Sequence, residues 1–106
     1  MSKKTIMLVC SAGMSTSLLV TKMEKAAADK GMDAEIFAVS ASEADSHIAK
    51  GEIDVLLLGP QIRFMKSQFE KKLEGKNIPF EVINMADYGM MNGENVLNAA
   101  IKLMGE

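Results

Sequence analysis

The sequence predicts an α/β fold, in which a four-stranded parallel sheet of strand order 2-1-3-4 is flanked by helices on both faces. Short apolar runs alternate with segments of helical periodicity along the chain, and this alternation is typical of a doubly wound α/β sandwich. Right-handed crossovers between parallel strands make 2-1-3-4 the simplest strand order. The 106 residues contain no linker or internal repeat, so we expect one domain spanning residues 1–106.

Four apolar runs predict the strands. They lie at residues 5–10, 34–39, 53–58 and 80–83. The first and third, which contain I6-M7-L8-V9 and I53-D54-V55-L56-L57-L58, are nearly continuous apolar stretches, as in central strands covered on both faces. The second and fourth, E35-I36-F37-A38-V39 and F80-E81-V82-I83, are expected to flank them.

Four segments after these runs predict helices. A second, weaker helix is expected over residues 42–50, ended by Gly51, and the third helix is expected to end at Gly75. Asn92 or Asn95 is available near the start of the fourth. The apolar faces of the first, third and fourth helices comprise Leu18, Leu19, Met23, Ala26 and Ala27; Ile62, Met65, Phe69 and Leu73; and Val96, Leu97, Ala100, Ile101 and Met104.

Composition and charge exclude several classes of protein. The net charge is -2 and Lys and Glu are interspersed, so nothing supports nucleic-acid binding. No apolar run approaches the ~18 residues that a membrane span needs, and the apolar stretch near the N-terminus is too short for a signal peptide. The single cysteine suits a reducing compartment, so we expect a cytoplasmic protein without membrane insertion. Cys10 and His47 alone do not form a metal site, and His47 is expected to be an exposed helical residue.

The segment C10-S11-A12-G13-M14-S15-T16-S17 follows the first strand and contains the only cysteine. In a sheet of order 2-1-3-4 it lies where the strand order reverses, which is where open α/β sheets bind ligands. Backbone N–H groups at the start of the following helix would favour phosphate, and would stabilise a thiolate. A buried structural cysteine is the alternative, but the small hydroxyl residues favour a nucleophile beside an anion-binding loop. We therefore predict Cys10 as the nucleophile and a phosphate-binding loop of Ser11, Ala12, Gly13, Met14, Ser15, Thr16 and Ser17.

This segment extended to L18-L19, together with L56-L57-L58-G59-P60-Q61 and Y88-G89, resembles the enzyme IIB subunits of the lactose/cellobiose-type phosphotransferase system. The resemblance extends over essentially the whole chain. It implies that Cys10 accepts phosphate from a phosphohistidine of enzyme IIA and donates it to a sugar carried by the membrane permease, enzyme IIC. That sugar would be of the β-glucoside type, in the cellobiose, chitobiose and lactose class. We expect no cofactor and a monomer.

The fold and loop also resemble low-molecular-weight tyrosine phosphatases and, more loosely, flavodoxin-like proteins. The phosphatase signature is Cys, five residues, Arg, then Ser or Thr, and here the Arg position holds Thr16. Without a guanidinium, transition-state stabilisation for hydrolysis is weaker, which favours a relay. The alternative is a phosphatase-like or oxyanion-reducing cysteine enzyme, with Asp87 as its general acid; Asp87 is otherwise a turn or capping residue. A flavin or nucleotide module is a third interpretation, although Trp and a G-x-x-x-x-G-K-[ST] motif are absent.

A relay must dock to two partners in turn over the same cysteine, so weak and mostly apolar contacts are expected around the loop. The turn G59-P60-Q61 follows the third strand and should lie at the same sheet edge as Cys10. The predicted partner surface comprises Met14, Leu18, Pro60, Gln61 and Tyr88.

Overall fold

The structure, a computed structural model, describes residues 3–10 and 14–105, and the side chains of all of these except residues 14–16. Its centre is a four-stranded parallel sheet of order β2-β1-β3-β4, which confirms the predicted strand order. The strands are β1 (Lys4–Cys10), β2 (Ala34–Ser40), β3 (Val55–Leu58) and β4 (Phe80–Val82).

Helices cover both faces of the sheet. They are α1 (Met14–Asp29), α2 (Ala41–Lys50), α3 (Lys66–Lys72), α4 (Met85–Gly89) and α5 (Gly93–Leu103). Helices α1 and α5 pack on one face, and α2 and α3 pack on the other. The fold is therefore doubly wound, as predicted.

The two central strands, β1 and β3, are the most deeply buried, as their continuous apolar sequences predict. Because successive side chains of a strand point to opposite faces, Ile6 and Leu8 contact the α1 and α5 layer, while Met7 and Val9 contact the α2 and α3 layer. Each such side chain stabilises the fold by about 1.5–3 kcal/mol relative to an exposed one.

The predicted third helix is in fact two helices, so this prediction was wrong in detail. A 3-10 helix, Pro60–Met65, precedes α3, and Ile62 has non-helical torsions (φ -116, ψ 28). Ile62 and Met65 are three residues apart, the spacing that a 3-10 helix places on one side, whereas Met65 and Phe69 have the α-helical spacing of four. Helix α3 ends at Lys72, before Gly75.

Helix α4 is a short element that the sequence analysis did not predict. Asn84 begins it: its Oδ1 accepts hydrogen bonds from the backbone N–H groups of Ala86 (2.9 Å) and Asp87 (3.1 Å). Helix α5 follows after Met91, which has a positive φ of 53. Asn92 begins α5, because its Oδ1 accepts from the Asn95 N–H at 3.0 Å.

Three smaller expectations are corrected. Strand β3 begins at Val55 rather than residue 53, because the Asp54 carboxylate accepts the Thr5 N–H at 2.7 Å. Leu18 is exposed, since it lies one residue, or about 100° of helix rotation, from the buried face. His47 is half-buried, with its ring centroid 5.0 Å from that of Phe37. No helix within the described ranges is long and apolar enough to cross a membrane.

Candidate functional site

Cys10 is the last residue of β1, at the carboxyl edge of the sheet, between β2 and β3. It therefore lies where the strand order reverses, as predicted. Strand alternation directs its side chain to the face that α1 and α5 cover. Cys10 is only 2% exposed, so a reaction partner must uncover the thiol before it can react.

The turn after β3 packs directly against Cys10. The Gly59 N–H donates to the Val9 carbonyl at 2.7 Å, which extends the pairing of β1 and β3. A methyl group built on Gly59 would lie 3.5 Å from the Cys10 Cβ and 2.8 Å from the Gln61 Oε1. The predicted proximity of G59-P60-Q61 to Cys10 is confirmed.

The end of β2 bounds Cys10 on its other side. The Cys10 Sγ lies 3.9 Å from the Val39 carbonyl oxygen, within reach of a weak S–H···O hydrogen bond. Ser40 pairs with Cys10 in the sheet. The Glu43 carboxylate accepts from the Ser40 N–H (3.2 Å) and hydroxyl (3.1 Å), which holds the start of α2 against this edge.

The predicted phosphate-binding loop lies mostly outside the described residues. Among the described residues, α1 begins at Met14, so the positive end of a 16-residue helix follows closely after Cys10. Ser17 is exposed on that helix. The parts of the predicted loop outside the description are Ser11, Ala12 and Gly13, and the side chains of Met14, Ser15 and Thr16.

The residues predicted as a partner surface differ in exposure. Leu18 and Gln61 are exposed, whereas Pro60 and Tyr88 are buried. The Met14 side chain lies outside the description. Pro60 and Tyr88 therefore contribute the floor of this surface rather than its exposed part.

A cleft of about 630 Å³ opens beside the turn. It is lined by Pro60, Gln61, Arg63, Phe64, Met85, Tyr88 and Gly89. Phe64 is 74% and Met85 58% exposed, and grouped exposed apolar side chains mark interaction sites. Neither residue was predicted from the sequence as part of the site. Phe64 could have been predicted as an exposed contact residue, because it is a large apolar residue that lies off the buried face of its helix.

Asp87 connects α4 to α5. Its Oδ1 accepts from the Asn95 Nδ2 at 3.1 Å, and its carbonyl accepts from the Asn92 N–H at 2.8 Å. These contacts support the turn interpretation of Asp87 rather than a general acid. Within the part of the chain that the structure describes, no three His, Cys, Asp or Glu side chains are grouped to hold a metal ion.

A family model and several known proteins match this chain along nearly its whole length. Residues 5–99 match the family model "PTS system, Lactose/Cellobiose specific IIB subunit". The cellobiose-specific EIIB component of Lactococcus lactis subsp. lactis (strain IL1403) is 56% identical over 98% of this chain and 99% of that protein. The galactose-specific EIIB component of Lactococcus lactis subsp. cremoris (strain MG1363) is 55% identical over the same shares of 98% and 99%. The solution structure of a cellobiose-specific IIB component from Borrelia burgdorferi is 44% identical, with a TM-score of 0.80 over 98% of this chain and 94% of that one.

Proposed function

The chain belongs to the lactose/cellobiose-specific IIB subunits of the sugar phosphotransferase system, and on that premise we propose that it relays a phosphoryl group through Cys10. The donor is a phosphohistidine of enzyme IIA. The acceptor is a sugar carried by the permease, enzyme IIC. The whole chain, residues 1–106, acts as one IIB domain, as a monomer in the cytoplasm and without a cofactor.

The relay consists of two in-line phosphoryl transfers. In the first, the Cys10 sulfur attacks phosphorus, the S–P bond forms as the N–P bond of the phosphohistidine breaks, and the thiol proton ends on the imidazole. In the second, a sugar hydroxyl attacks the same phosphorus, the S–P bond breaks, and the hydroxyl proton returns to the sulfur. Charge and atoms balance in each step.

The position of Cys10 is the observation that carries this proposal. It ends a central strand at the reversal of strand order, and α1 begins at Met14. The helix dipole therefore favours negative charge next to the sulfur. The phosphatase-like alternative is not favoured, because the relatives are IIB components and Thr16 occupies the position of the phosphatase arginine.

The sugar is proposed only as a class. Relatives named for cellobiose and for galactose are 56% and 55% identical to this chain, so similarity between IIB chains does not separate their sugars. We place recognition of the β-glucoside-type sugar in enzyme IIC.

Both partners are proposed to dock over the edge that contains Cys10. The exposed side chains Leu18, Gln61, Phe64 and Met85 supply apolar and amide contacts around it, and we include Met14 from the sequence prediction. Pro60 and Tyr88 form the floor of the adjacent cleft. Docking here would uncover the thiol and exclude water from the phosphoryl group.

The test is intact-mass measurement after incubation with phosphorylated enzyme IIA. Wild type should gain one phosphate, Cys10→Ser should gain none, and His47→Gln, which removes the only histidine, should behave as wild type. Addition of enzyme IIC and sugar should then remove the phosphate. A wild type that gains no phosphate from a donor whose own phosphorylation is verified by mass would contradict the proposal.

A further inference from the structure

The amide of Gln61 lies on the β3 side of Cys10, and so far it has only a proposed docking role. The side chain of Gln61 folds back over Gly59, so that one methyl-sized position on Gly59 contacts both the Gln61 Oε1 (2.8 Å) and the Cys10 Cβ (3.5 Å). A phosphoryl group on sulfur extends three bonds from that Cβ. A phosphoryl group on this sulfur would therefore lie within reach of the Gln61 amide.

The end of β2 disfavours a phosphoryl group on its own side of Cys10. The Val39 carbonyl oxygen lies 3.9 Å from the Cys10 Sγ, and a carbonyl accepts hydrogen bonds but cannot donate them. Phosphoryl oxygens on the sulfur are repelled from that side. Gln61 lies on the opposite side of Cys10, next to the turn that follows β3.

The Gln61 side chain is also free to respond. It is exposed and has no hydrogen-bond partner among the described residues. The terminal torsion of glutamine is broad, so a rotation exchanges Oε1 for Nε2 at the same position. The amide then presents an N–H donor to the phosphoryl group.

We infer that Gln61 binds the phosphoryl group on Cys10 by donating a hydrogen bond from Nε2. This inference rests on the proposed relay function, and it assigns Gln61 a role beyond that of a docking residue. The two roles differ thermodynamically. A docking contact changes the forward and reverse transfer rates together, whereas a contact with bound phosphate changes the equilibrium between phosphorylated enzyme IIA and phosphorylated Cys10.

The experiment measures that equilibrium constant by intact mass, with dilute proteins so that the docked complex is not appreciably populated. Gln61→Ala should lower the constant about 10-fold, because a hydrogen bond to a charged group is lost at an exposed position. Gln61→Glu should lower it at least as much, since a carboxylate repels the phosphoryl oxygens. Gln68→Glu, the same change at an exposed position on α3, should leave it unchanged.

Gly59→Ala provides a second variant that keeps the amide but displaces it. The torsions of Gly59 (φ -63, ψ 145) suit any residue, and the added methyl group would lie only 2.8 Å from the flexible end of Gln61. The chain should fold, and the equilibrium constant should fall in the same direction as for Gln61→Ala.

Equal equilibrium constants in wild type, Gln61→Ala and Gln61→Glu, with forward and reverse rates lowered together, would overturn the inference and leave the relay standing. A wild type that accepts no phosphate would refute the relay, and this inference with it.

Discussion

Phe64 is expected to provide the largest apolar contact between this chain and its phosphoryl donor. It is 74% exposed in the cleft beside the turn that follows β3. Full burial of a phenylalanine contributes about 1.5–3 kcal/mol, and roughly three-quarters of that surface remains for a partner to cover, so docking should gain about 1–2 kcal/mol. Phe64→Ala should therefore lower kcat/KM for transfer from phosphorylated enzyme IIA by about 5- to 30-fold.

The loss should appear in KM with little change in kcat, because docking contacts are equally strong in the ground state and the transition state. The free energy of unfolding should change by less than about 0.5 kcal/mol, as is usual for exposed positions. Met90→Ala is the matched control, since Met90 is 72% exposed but does not line the cleft. Equal losses in the two variants, or wild-type kinetics in Phe64→Ala, would refute the assignment of this cleft to the donor.

Three further predictions concern the framework around the site. Gly93→Ala should lower the free energy of unfolding, measured in urea, by about 1–3 kcal/mol, because the new methyl group would lie 2.5 Å from a backbone atom of Lys22. Gly89→Ala is the control and should change that free energy little, because a methyl group there meets nothing within 4 Å. Equal effects of the two substitutions would contradict the packing argument. Asn84→Ala should cost about 1 kcal/mol in the same assay, because α4 loses its N-terminal cap, and Asn84→Asp should retain most of the stability. Alkylation of Cys10 by iodoacetamide should be at least about tenfold slower in the native chain than in urea. The buried thiol reacts only after a local opening of the structure, and each ~1.4 kcal/mol of free energy needed for that opening reduces the reactive population tenfold. Equal rates would show that the thiol is accessible in solution rather than 2% exposed.

The sheet could be predicted because distinct apolar runs mark its strands in the sequence. The runs that became β1 and β3 are short and almost entirely apolar, which is the pattern of strands buried on both faces. Together with the helical segments, they leave few ways to connect four parallel strands. The location of Cys10 and the proximity of the Gly59 turn follow from that topology, which is why both could be predicted without coordinates.

The cleft could not be predicted, because it depends on elements too short to show periodicity. Helix α4 has five residues, Met85–Gly89, and its one sequence signal is the capping residue Asn84. The break at Ile62 turns Phe64 outward, and only a change in spacing from three to four residues marks it in the sequence. Tyr88 lines the cleft but is buried rather than exposed, because α4 packs it into the α1 and α5 layer.

The chemistry inferred around Cys10 suits the proposed phosphocysteine, which would be an intermediate that must be passed on. A guanidinium would hold the phosphoryl group through strong charge-assisted hydrogen bonds and would stabilise the transition state for its hydrolysis. In the inferred arrangement the side chain that binds the phosphoryl group is the neutral amide of Gln61, while the one arginine of the chain, Arg63, lines the cleft proposed for docking. A neutral donor stabilises the phosphocysteine less, which keeps its free energy close to that of the donor and the acceptor. Cys10 is 2% exposed, and a partner docked over it would exclude water from the proposed phosphoryl group, so a moderately stable S–P bond would favour transfer rather than storage or hydrolysis.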